Sequence, residues 1–193
     1  MAAPARTRIT AGDWRGRLID TPRGLGVRPT RSMVREALFN VLGDRVVGAS
    51  CIDLYAGAGT LGFEALSRGA ARVTFVDRDR AALAAISATA GRLGCSERCA
   101  LVRGDALAWV RRTPESAATA GVCFVDAPYR DAGLDRVLEE LGQSPPALVV
   151  CEHHHERRLP TRIGGLALVR DVRHGINTLS FLQRISSDAP EPH

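Results

Sequence analysis

Cys51-Ile52-Asp53-Leu54-Tyr55-Ala56-Gly57-Ala58-Gly59-Thr60-Leu61-Gly62 is a short apolar run that enters a glycine-rich turn and leaves it as a helix. Residues 50 to 55 have the continuous apolar character of a buried strand, and Leu61, Ala65 and Leu66 recur at helical spacing, so the glycines fall at a strand-to-helix corner. Glycine lets the backbone approach a ligand closely there and supplies the positive φ that a tight turn requires. Gly57 to Gly62 reads GxGxxG, and Asp77 closes the next strand 20 residues after Gly57, the spacing of a dinucleotide-binding unit. A second reading takes Asp53, four residues before Gly57, as the first of several carboxylates at the ends of successive strands.

Outward from this corner the pattern alternates. Strands are predicted near 50 to 55, 72 to 77, 99 to 103, 121 to 126 and 146 to 152, with helices near 60 to 68, 79 to 92, 105 to 112 and 132 to 142. That is an α/β, Rossmann-like sheet, mostly parallel, with helices on both faces. Two further apolar strands, Leu166 to Arg170 and Thr178 to Arg184, have only Arg173-His174-Gly175 as a tight connection and should form an antiparallel pair at one side of the sheet. Near the start, Arg8 to Gly12 and Arg17 to Asp20 read as a small hairpin around Gly12 to Gly16, followed by a turn at Pro22 to Gly24. A helix then begins after Thr30 as its cap. Val34, Ala37, Leu38, Val41 and Leu42 form its apolar stripe, Arg31 and Arg35 ride the other side, and Gly43 ends it.

Asp53, Asp77, Asp105 and Asp126 lie at the ends of four successive strands, which places four carboxylates at the edge where open α/β sheets bind ligands. Any one of them also reads as an ordinary helix cap; four together do not. A pyrophosphate would be repelled by this edge, whereas S-adenosylmethionine carries a sulfonium, an ammonium and no phosphate. Asp77 suits the two ribose hydroxyls, Asp105 the adenine amine, and Asp53 with Gly57 and Gly59 the turn and the methionine portion. Tyr55, Ala56, Leu61, Arg78, Gly104, Ala106 and Asp126 complete the expected cofactor set.

Asp126-Ala127-Pro128-Tyr129 is the second chemical signal. An aspartate, a backbone carbonyl and an aromatic ring suit a planar base bearing an exocyclic amine. The ring stacks on the base while two oxygens accept the amine hydrogens, directing the nitrogen lone pair toward a methyl donor. Outside this context the same residues would read as a plain turn with an exposed tyrosine.

The chain of 193 residues is 45% apolar, enough for one domain with one substantial core. It contains no run of 18 apolar residues and no charged-then-apolar leader, so a cytoplasmic protein with no membrane association is expected. No extra apolar helix asks for a partner, so a monomer is expected too. All 26 basic residues are arginine, and eight of them (6, 8, 15, 17, 23, 28, 31 and 35) fall in the first 35 positions against Asp13 and Asp20. This segment alone accounts for the net charge of +5 and has the charge density to grip a phosphate backbone, although a merely solvated basic terminus has the same composition. Cys51, Cys123 and Cys151 sit inside apolar runs and read as buried thiols; Cys95 and Cys99 flank a polar loop with no second pair to complete a zinc site. His153-His154-His155 reads as a solvated loop after a strand, and no metal site is expected.

Asp53 to Gly59, Asp77, Gly104-Asp105 and Asp126 to Tyr129, in this order, resemble the class I methyltransferases of exocyclic amines, which carry an (Asn/Asp)-Pro-Pro-(Tyr/Phe) motif. Arg8-Ile9, Gly12, Gly16-Arg17, Pro22, Gly24, Arg28-Pro29-Thr30 and Val34-Arg35-Glu36-Ala37-Leu38-Phe39-Asn40 narrow the likeness to the bacterial 16S ribosomal RNA guanine-N2 methyltransferases of the RsmD type, as does Gly175 with Asn177-Thr178. The resemblance runs over about residues 7 to 184. It implies methylation of a guanine at N2 in small-subunit RNA, with S-adenosylmethionine as cofactor and the assembled or assembling subunit as partner. Asp126, Ala127, Pro128 and Tyr129 are then the catalytic set, and Arg8, Arg15, Arg17, Arg28, Arg31 and Arg35 the RNA contacts, on an N-terminal basic segment 1–28 ahead of a methyltransferase domain 29–185 and a disordered tail 186–193. Ala127 stands where the family has its first motif proline; its carbonyl survives, and Pro128 still biases it toward extended geometry, but the fixed φ is lost. Three alternatives stay open: amine methylation of adenine N6 or of a protein glutamine, a ribosome-assembly binder without catalysis, and a nicotinamide oxidoreductase, which the acidic edge disfavours.

Overall fold

The computed structural model describes residues 6–21, 32–127 and 133–185. Eight strands form one sheet in the order β5-β4-β3-β6-β7-β10-β9-β8. These are β3 (Ser50–Leu54), β4 (Arg72–Asp77), β5 (Cys99–Arg103), β6 (Val122–Val125), β7 (Leu148–His154), β8 (Arg162–Ile163), β9 (Leu166–His174) and β10 (Asn177–Arg184). A separate antiparallel pair, β1 (Arg6–Arg8) with β2 (Leu18–Asp20), makes the N-terminal hairpin. The first five strands of the sheet, from β5 to β7, are mutually parallel, and β10, β9 and β8 continue it antiparallel. The order reverses between β3 and β6, which opens a crevice between their carboxyl ends.

Alternation along the strands sends residues to two separate cores. On one face α1 (Ser32–Leu42), α2 (Thr60–Ser67) and α3 (Arg80–Leu93) cover Cys51, Val73, Phe75, Val122, Phe124, Val150 and Phe181. The other face is covered by α4 (Ala106–Arg112), α5 (Pro114–Ala118) and α6 (Gly133–Gln143), over Ile52, Leu54, Val76, Cys123, Val125, Val149 and Cys151. The parallel strands are thus buried on both sides, which is why they read as unbroken apolar runs. Burial also pushes the Cys51 and Cys151 thiols up to about 12.

The hairpin is fastened to the sheet domain rather than projecting from it. Ile9 and Ile19, each 1% exposed, belong to the first core. Gly12, at φ +80°, brings its backbone so close to α2 that a Cβ would lie 1.8 Å from the Ser67 carbonyl oxygen. Ser67 uses this proximity: its Oγ accepts from Trp14 N at 3.0 Å and donates to the Ala11 carbonyl at 2.6 Å.

Two sequence expectations are corrected. Arg35 does not ride a polar face of α1: it is 1% exposed and is turned inward to Glu64 of α2, whose negative charge offsets the cost of burying the guanidinium. The first two of the three histidines are not in a solvated loop, and only His155 lies in the turn beyond the strand. His153 and His154 close β7 because β10 pairs with them, through Thr178 and Asn177 respectively. His153 is 3% exposed, with Nε2 2.8 Å from Ser180 Oγ, which donates to Asp171 at 2.6 Å. Helix α5 and strand β8 are additions that the periodicity did not indicate. The Thr30 cap, the Pro22–Gly24 turn and the tail 186–193 lie outside the described residues.

Candidate active site

The first acid belongs to the corner itself. At the end of β3 the chain turns through Tyr55 at φ 60°, Gly57 at φ 54° and Gly59 at φ 74° before entering α2. A left-handed tyrosine is costly, on the order of 1–3 kcal/mol, and persists only where its surroundings hold it. Three backbone N–H groups of the turn are held internally. Gly57 donates to Asp77 Oδ2 at 2.7 Å, Gly59 to the Ala56 carbonyl at 2.7 Å, and Gly62 to Asp53 Oδ2 at 2.9 Å. A pyrophosphate cradle would need such donors aimed outward. Here two of these N–H groups are taken by carboxylates and the third by a carbonyl, and the dinucleotide reading loses these donors.

The next two acids are arranged as the strand ends dictate. Asp77 closes β4 and bridges Gly57 to Asp79 N, the latter at 2.8 Å, with Arg78 exposed beside it. Asp105 follows Gly104, whose N–H donates to the Asp77 carbonyl at 3.0 Å, and its Oδ1 caps α4 through Ala108 N at 2.9 Å. The cap is therefore real for Asp105, and its outer oxygen is the part left facing solvent. Ala56, Leu61 and Ala106 are 8%, 6% and 4% exposed and wall the corner.

Asp53, Asp77 and Asp126 share one face of the sheet, since Asp53 pairs with Phe75 and Phe124, which stand two residues before Asp77 and Asp126 respectively. Burial, with the charges of Asp126 and Asp77 added, pushes the Asp53 carboxyl well above the usual carboxylate range, and the Gly62 N–H only partly offsets this. The edge is thus short of positive charge. A ligand carrying a cation and no phosphate relieves it; an anionic one does not.

Asp126 leaves β6 half-buried, and Ala127 packs 6% exposed against the second core. Pro128 and Tyr129 lie outside the described residues. Beyond β6 the same face continues. Val125 pairs with Cys151, so Asp126 runs alongside Glu152 of β7, which is 9% exposed and accepts a hydrogen bond from the Asn177 side-chain amide of β10. Sequence reading passed over Glu152. The signal was available: Val149-Val150-Cys151-Glu152 is one more apolar run that stops at an acid.

Among the arginines expected to meet RNA, Arg8, Arg15 and Arg17 lie exposed on the hairpin. Arg8 Nη1 donates to the Gly16 carbonyl at 3.0 Å and Arg17 Nη2 to the Arg92 carbonyl at 3.4 Å, contacts that brace the turn while leaving the guanidinium groups at the surface. Arg35 is withdrawn into the interior, as described; Arg28 and Arg31 lie outside the described residues. No group of three or more His, Cys, Asp or Glu side chains among the described residues is placed to hold a metal ion. No helix among them is long and apolar enough to cross a membrane.

Residues 7–183 match the protein family described as Conserved hypothetical protein 95. The chain is 36% identical over 183 residues to ribosomal RNA small subunit methyltransferase D of Escherichia coli K12, covering 92% of this chain and 89% of the relative. The corresponding methyltransferase D of Haemophilus influenzae is 33% identical over 164 residues, covering 82% and 84%. Among solved structures, the Escherichia coli protein yhhF superposes with a TM-score of 0.80 at 30% identity, covering 94% of this chain and 99% of that one. A hypothetical protein of Thermus thermophilus does so with a TM-score of 0.76 at 26% identity, covering 93% and 99%.

Proposed function

The chain belongs to the Conserved hypothetical protein 95 family, the RsmD-type ribosomal RNA small subunit methyltransferases, and on that premise we propose that it transfers a methyl group from S-adenosylmethionine to the exocyclic N2 of a guanine in 16S RNA. It acts in the cytoplasm, on the small subunit or an intermediate of its assembly. The observation that carries the reading is the placement of Asp126 and Ala127 at the crevice between β6 and β3, on the same edge as the internally bonded glycine turn.

When bound, the cofactor supplies an electrophilic methyl on a sulfonium. Asp77 and Asp105 hold its ribose hydroxyls and adenine amine, and Asp53 with Gly57 and Gly59 shapes the turn that receives the methionine portion. Asp126 and the Ala127 carbonyl would accept the two amine hydrogens of the target base, which would turn the nitrogen lone pair toward the methyl donor. The Asp126 carboxylate also offsets the positive charge that develops on the amine, so little further acid-base chemistry is required. Tyr129 stacks on the base that has been turned out of its helix, and Pro128 stiffens the turn between them. The exposed arginines of the hairpin grip phosphates and supply salt-sensitive affinity without reading sequence.

The test is methyl transfer from labelled S-adenosylmethionine to small subunits from a strain lacking this gene, and to their stripped RNA, followed by nucleoside analysis. N2-methylguanosine is expected. A different methylated nucleoside would move the reading to another amine, and binding without transfer would reduce the protein to an assembly factor.

A further inference from the structure

The β9–β10 hairpin turns at the same sheet edge as Asp126. β7 runs parallel to β6, and its last residue, His154, pairs with Asn177 at the start of β10, so the turn stands beyond the carboxyl ends of the parallel strands. His174 also pairs with Asn177, which leaves Gly175 and Ile176 as a two-residue turn, with Gly175 supplying the positive φ of +63°. Asp126 is level with Glu152 of β7 and Ile176 with His155, three residues farther along and one strand beyond β7. A strand spacing of about 4.8 Å and a rise of about 3.3 Å per residue set Ile176 about 10 Å across the sheet from Asp126 and about 10 Å beyond it.

Ile176 contradicts the chemistry of its own turn. A hairpin turn that opens on glycine ordinarily has Asn, Asp or Ser second, whereas this one has a β-branched apolar residue that is 55% exposed. Such a break with local preference is expected where a residue serves function. The backbone beneath it is braced. The Ile176 carbonyl accepts from His155 N at 2.9 Å and from His155 Nδ1 at 3.2 Å, a nitrogen that carries the hydrogen because a carbonyl only accepts. The His154 ring packs on that of His155 with centroids 4.5 Å apart. Around the tip, Arg157, Arg158, Arg170 and Arg173 stand against Glu156 and Asp171. Arg157 is paired with Asp135 at 2.7 Å, while Arg158 and Arg170 are exposed. Arg173, also exposed, donates from Nε to the Gly175 carbonyl at 3.1 Å, which keeps its guanidinium beside Ile176.

We infer that the β9–β10 tip is a second RNA-contacting element, in which Ile176 packs as a wedge against the bases beside the one drawn to Asp126 and Arg173 meets the phosphates next to them. The inference rests on the RNA methyltransferase reading above and on no particular base. Turning a base out of its stack exposes the faces of its neighbours to water. An apolar side chain held rigidly against those faces replaces the lost stacking partner and lowers the cost of the turned-out state; a polar one leaves the faces wet. Cations beside an apolar tip suit nucleic acid, which offers base faces and phosphates side by side. No bond is made or broken at Ile176, which is a positioning residue and leaves the methyl transfer to the Asp126 turn.

The experiment measures methyl transfer to small subunits from a strain lacking this gene, with variants at the tip. Ile176→Asn installs a favoured turn residue, so the melting temperature and S-adenosylmethionine affinity should hold while kcat/KM falls by about 10-fold or more. Ile176→Leu keeps the apolar volume and should stay within about 3-fold of wild type, a rescue that a purely structural role in the turn would not produce. Arg173→Ala should reduce the log–log salt slope of subunit binding by about 1 with the methylated position unchanged. A diazirine-bearing amino acid at position 176, illuminated on small subunits, should attach to the nucleotides flanking the methylated base. Attachment to a ribosomal protein or to a second copy of the chain would overturn the RNA assignment of the tip. Near-normal kcat/KM in Ile176→Asn, with wild type methylating the RNA, would overturn the role of Ile176 alone. Wild type transferring no methyl to RNA would overturn this role and the methyltransferase reading together.

Discussion

Arg35 of α1 and Glu64 of α2 form an ion pair with almost no access to water: Nε of Arg35 lies 3.6 Å from Oε2 of Glu64, and the side chains are 1% and 0% exposed. The pair is the centre of a clamp. Glu64 also accepts from Thr10 N at 2.9 Å, Thr10 Oγ1 at 2.5 Å, Ala11 N at 3.1 Å and Arg68 Nε at 2.9 Å, while Arg35 Nη2 donates to the Arg8 carbonyl at 2.6 Å. One buried acid thus ties the N-terminal hairpin, α1 and α2 into a unit, and it sets where the exposed arginines stand relative to the crevice.

Removing one member of such a pair strands the other charge in the interior. Glu64→Ala is expected to lower the unfolding free energy by about 3–5 kcal/mol, read from urea melts, with Arg35→Met milder because Glu64 keeps Arg68 and the Thr10 and Ala11 donors and much of the volume is retained. A loss below about 1 kcal/mol for Glu64→Ala would mean that water reaches the site and the clamp is not structural.

Gly12 is where the hairpin touches α2 most closely, and a Cβ there would meet the Ser67 carbonyl at 1.8 Å. Gly12→Ala should therefore displace the hairpin while leaving the sheet edge intact. Cofactor affinity should stay within about 2-fold, and transfer to small subunits should fall by about 10-fold or more, since small misplacements of a positioning element are expensive. Unchanged transfer would show that the hairpin has no part in holding substrate.

Burial, with the charges of Asp126 and Asp77 added, raises the Asp53 pKa well above its ordinary value of 3.8, so the folded, cofactor-free protein holds this proton to a higher pH than the unfolded chain does. The sign follows: the folded state binds more protons than the unfolded one across the window from the ordinary to the raised value, and stability falls as pH rises through it. Asp53→Asn removes this penalty and keeps an oxygen for Gly62 N. In melts without cofactor the variant should match wild type below about pH 4 and equal or exceed it at about pH 8. A cationic ligand favours the carboxylate, so wild-type affinity for S-adenosylmethionine should rise with pH and binding should release protons, seen as a buffer-dependent heat. Asp53→Asn should bind more weakly and lose that dependence; a variant that still releases protons would place the titration elsewhere.

Asp126 and Ala127 have separate tests. Asp126→Ala should leave cofactor binding in place and abolish methyl transfer, and near-normal turnover would remove Asp126 from the mechanism. Ala127→Pro restores the family's proline at a position that already precedes Pro128. Fold and cofactor affinity should be unchanged and turnover should not fall. A large fall would show that this turn is built differently from the family's.

The hairpin arginines should act through charge. Arg15→Ala combined with Arg17→Ala is expected to weaken binding to small-subunit RNA and to flatten the log–log salt dependence by roughly 1 to 2 units, with the methylated position unchanged. A changed position would mean that these arginines read sequence or shape directly.

The alternation of strands and helices was legible because a parallel sheet buried on both faces demands long apolar runs, and the chain has them at Cys51, Val73, Val122 and Val149. The acids at the strand ends were legible for a related reason: a carboxylate stops an apolar run, so Asp53, Asp77 and Asp126 mark edges as well as chemistry. Asp105 shows the limit of that logic, since its bond to Ala108 is an ordinary cap and composition does not separate a cap from a ligand contact. The start of the histidine run was misread because the sequence does not show that β10 returns beside β7, and that pairing carries His153 and His154 into the strand.

By itself, then, the sequence determined what depends on neighbours along the chain: the strand and helix periods, the glycine corner, the acidic ends and the basic first segment. Only the tertiary structure decided what depends on neighbours across it. Arg35 is buried because Glu64, on a different helix, supplies its counter-charge, and Glu152 stands beside Asp126 because β6 and β7 pair in register. A charge has no fixed address in a sequence pattern; its desolvation is tolerated only where another element delivers the opposite charge or a donor, and only the fold brings the two together.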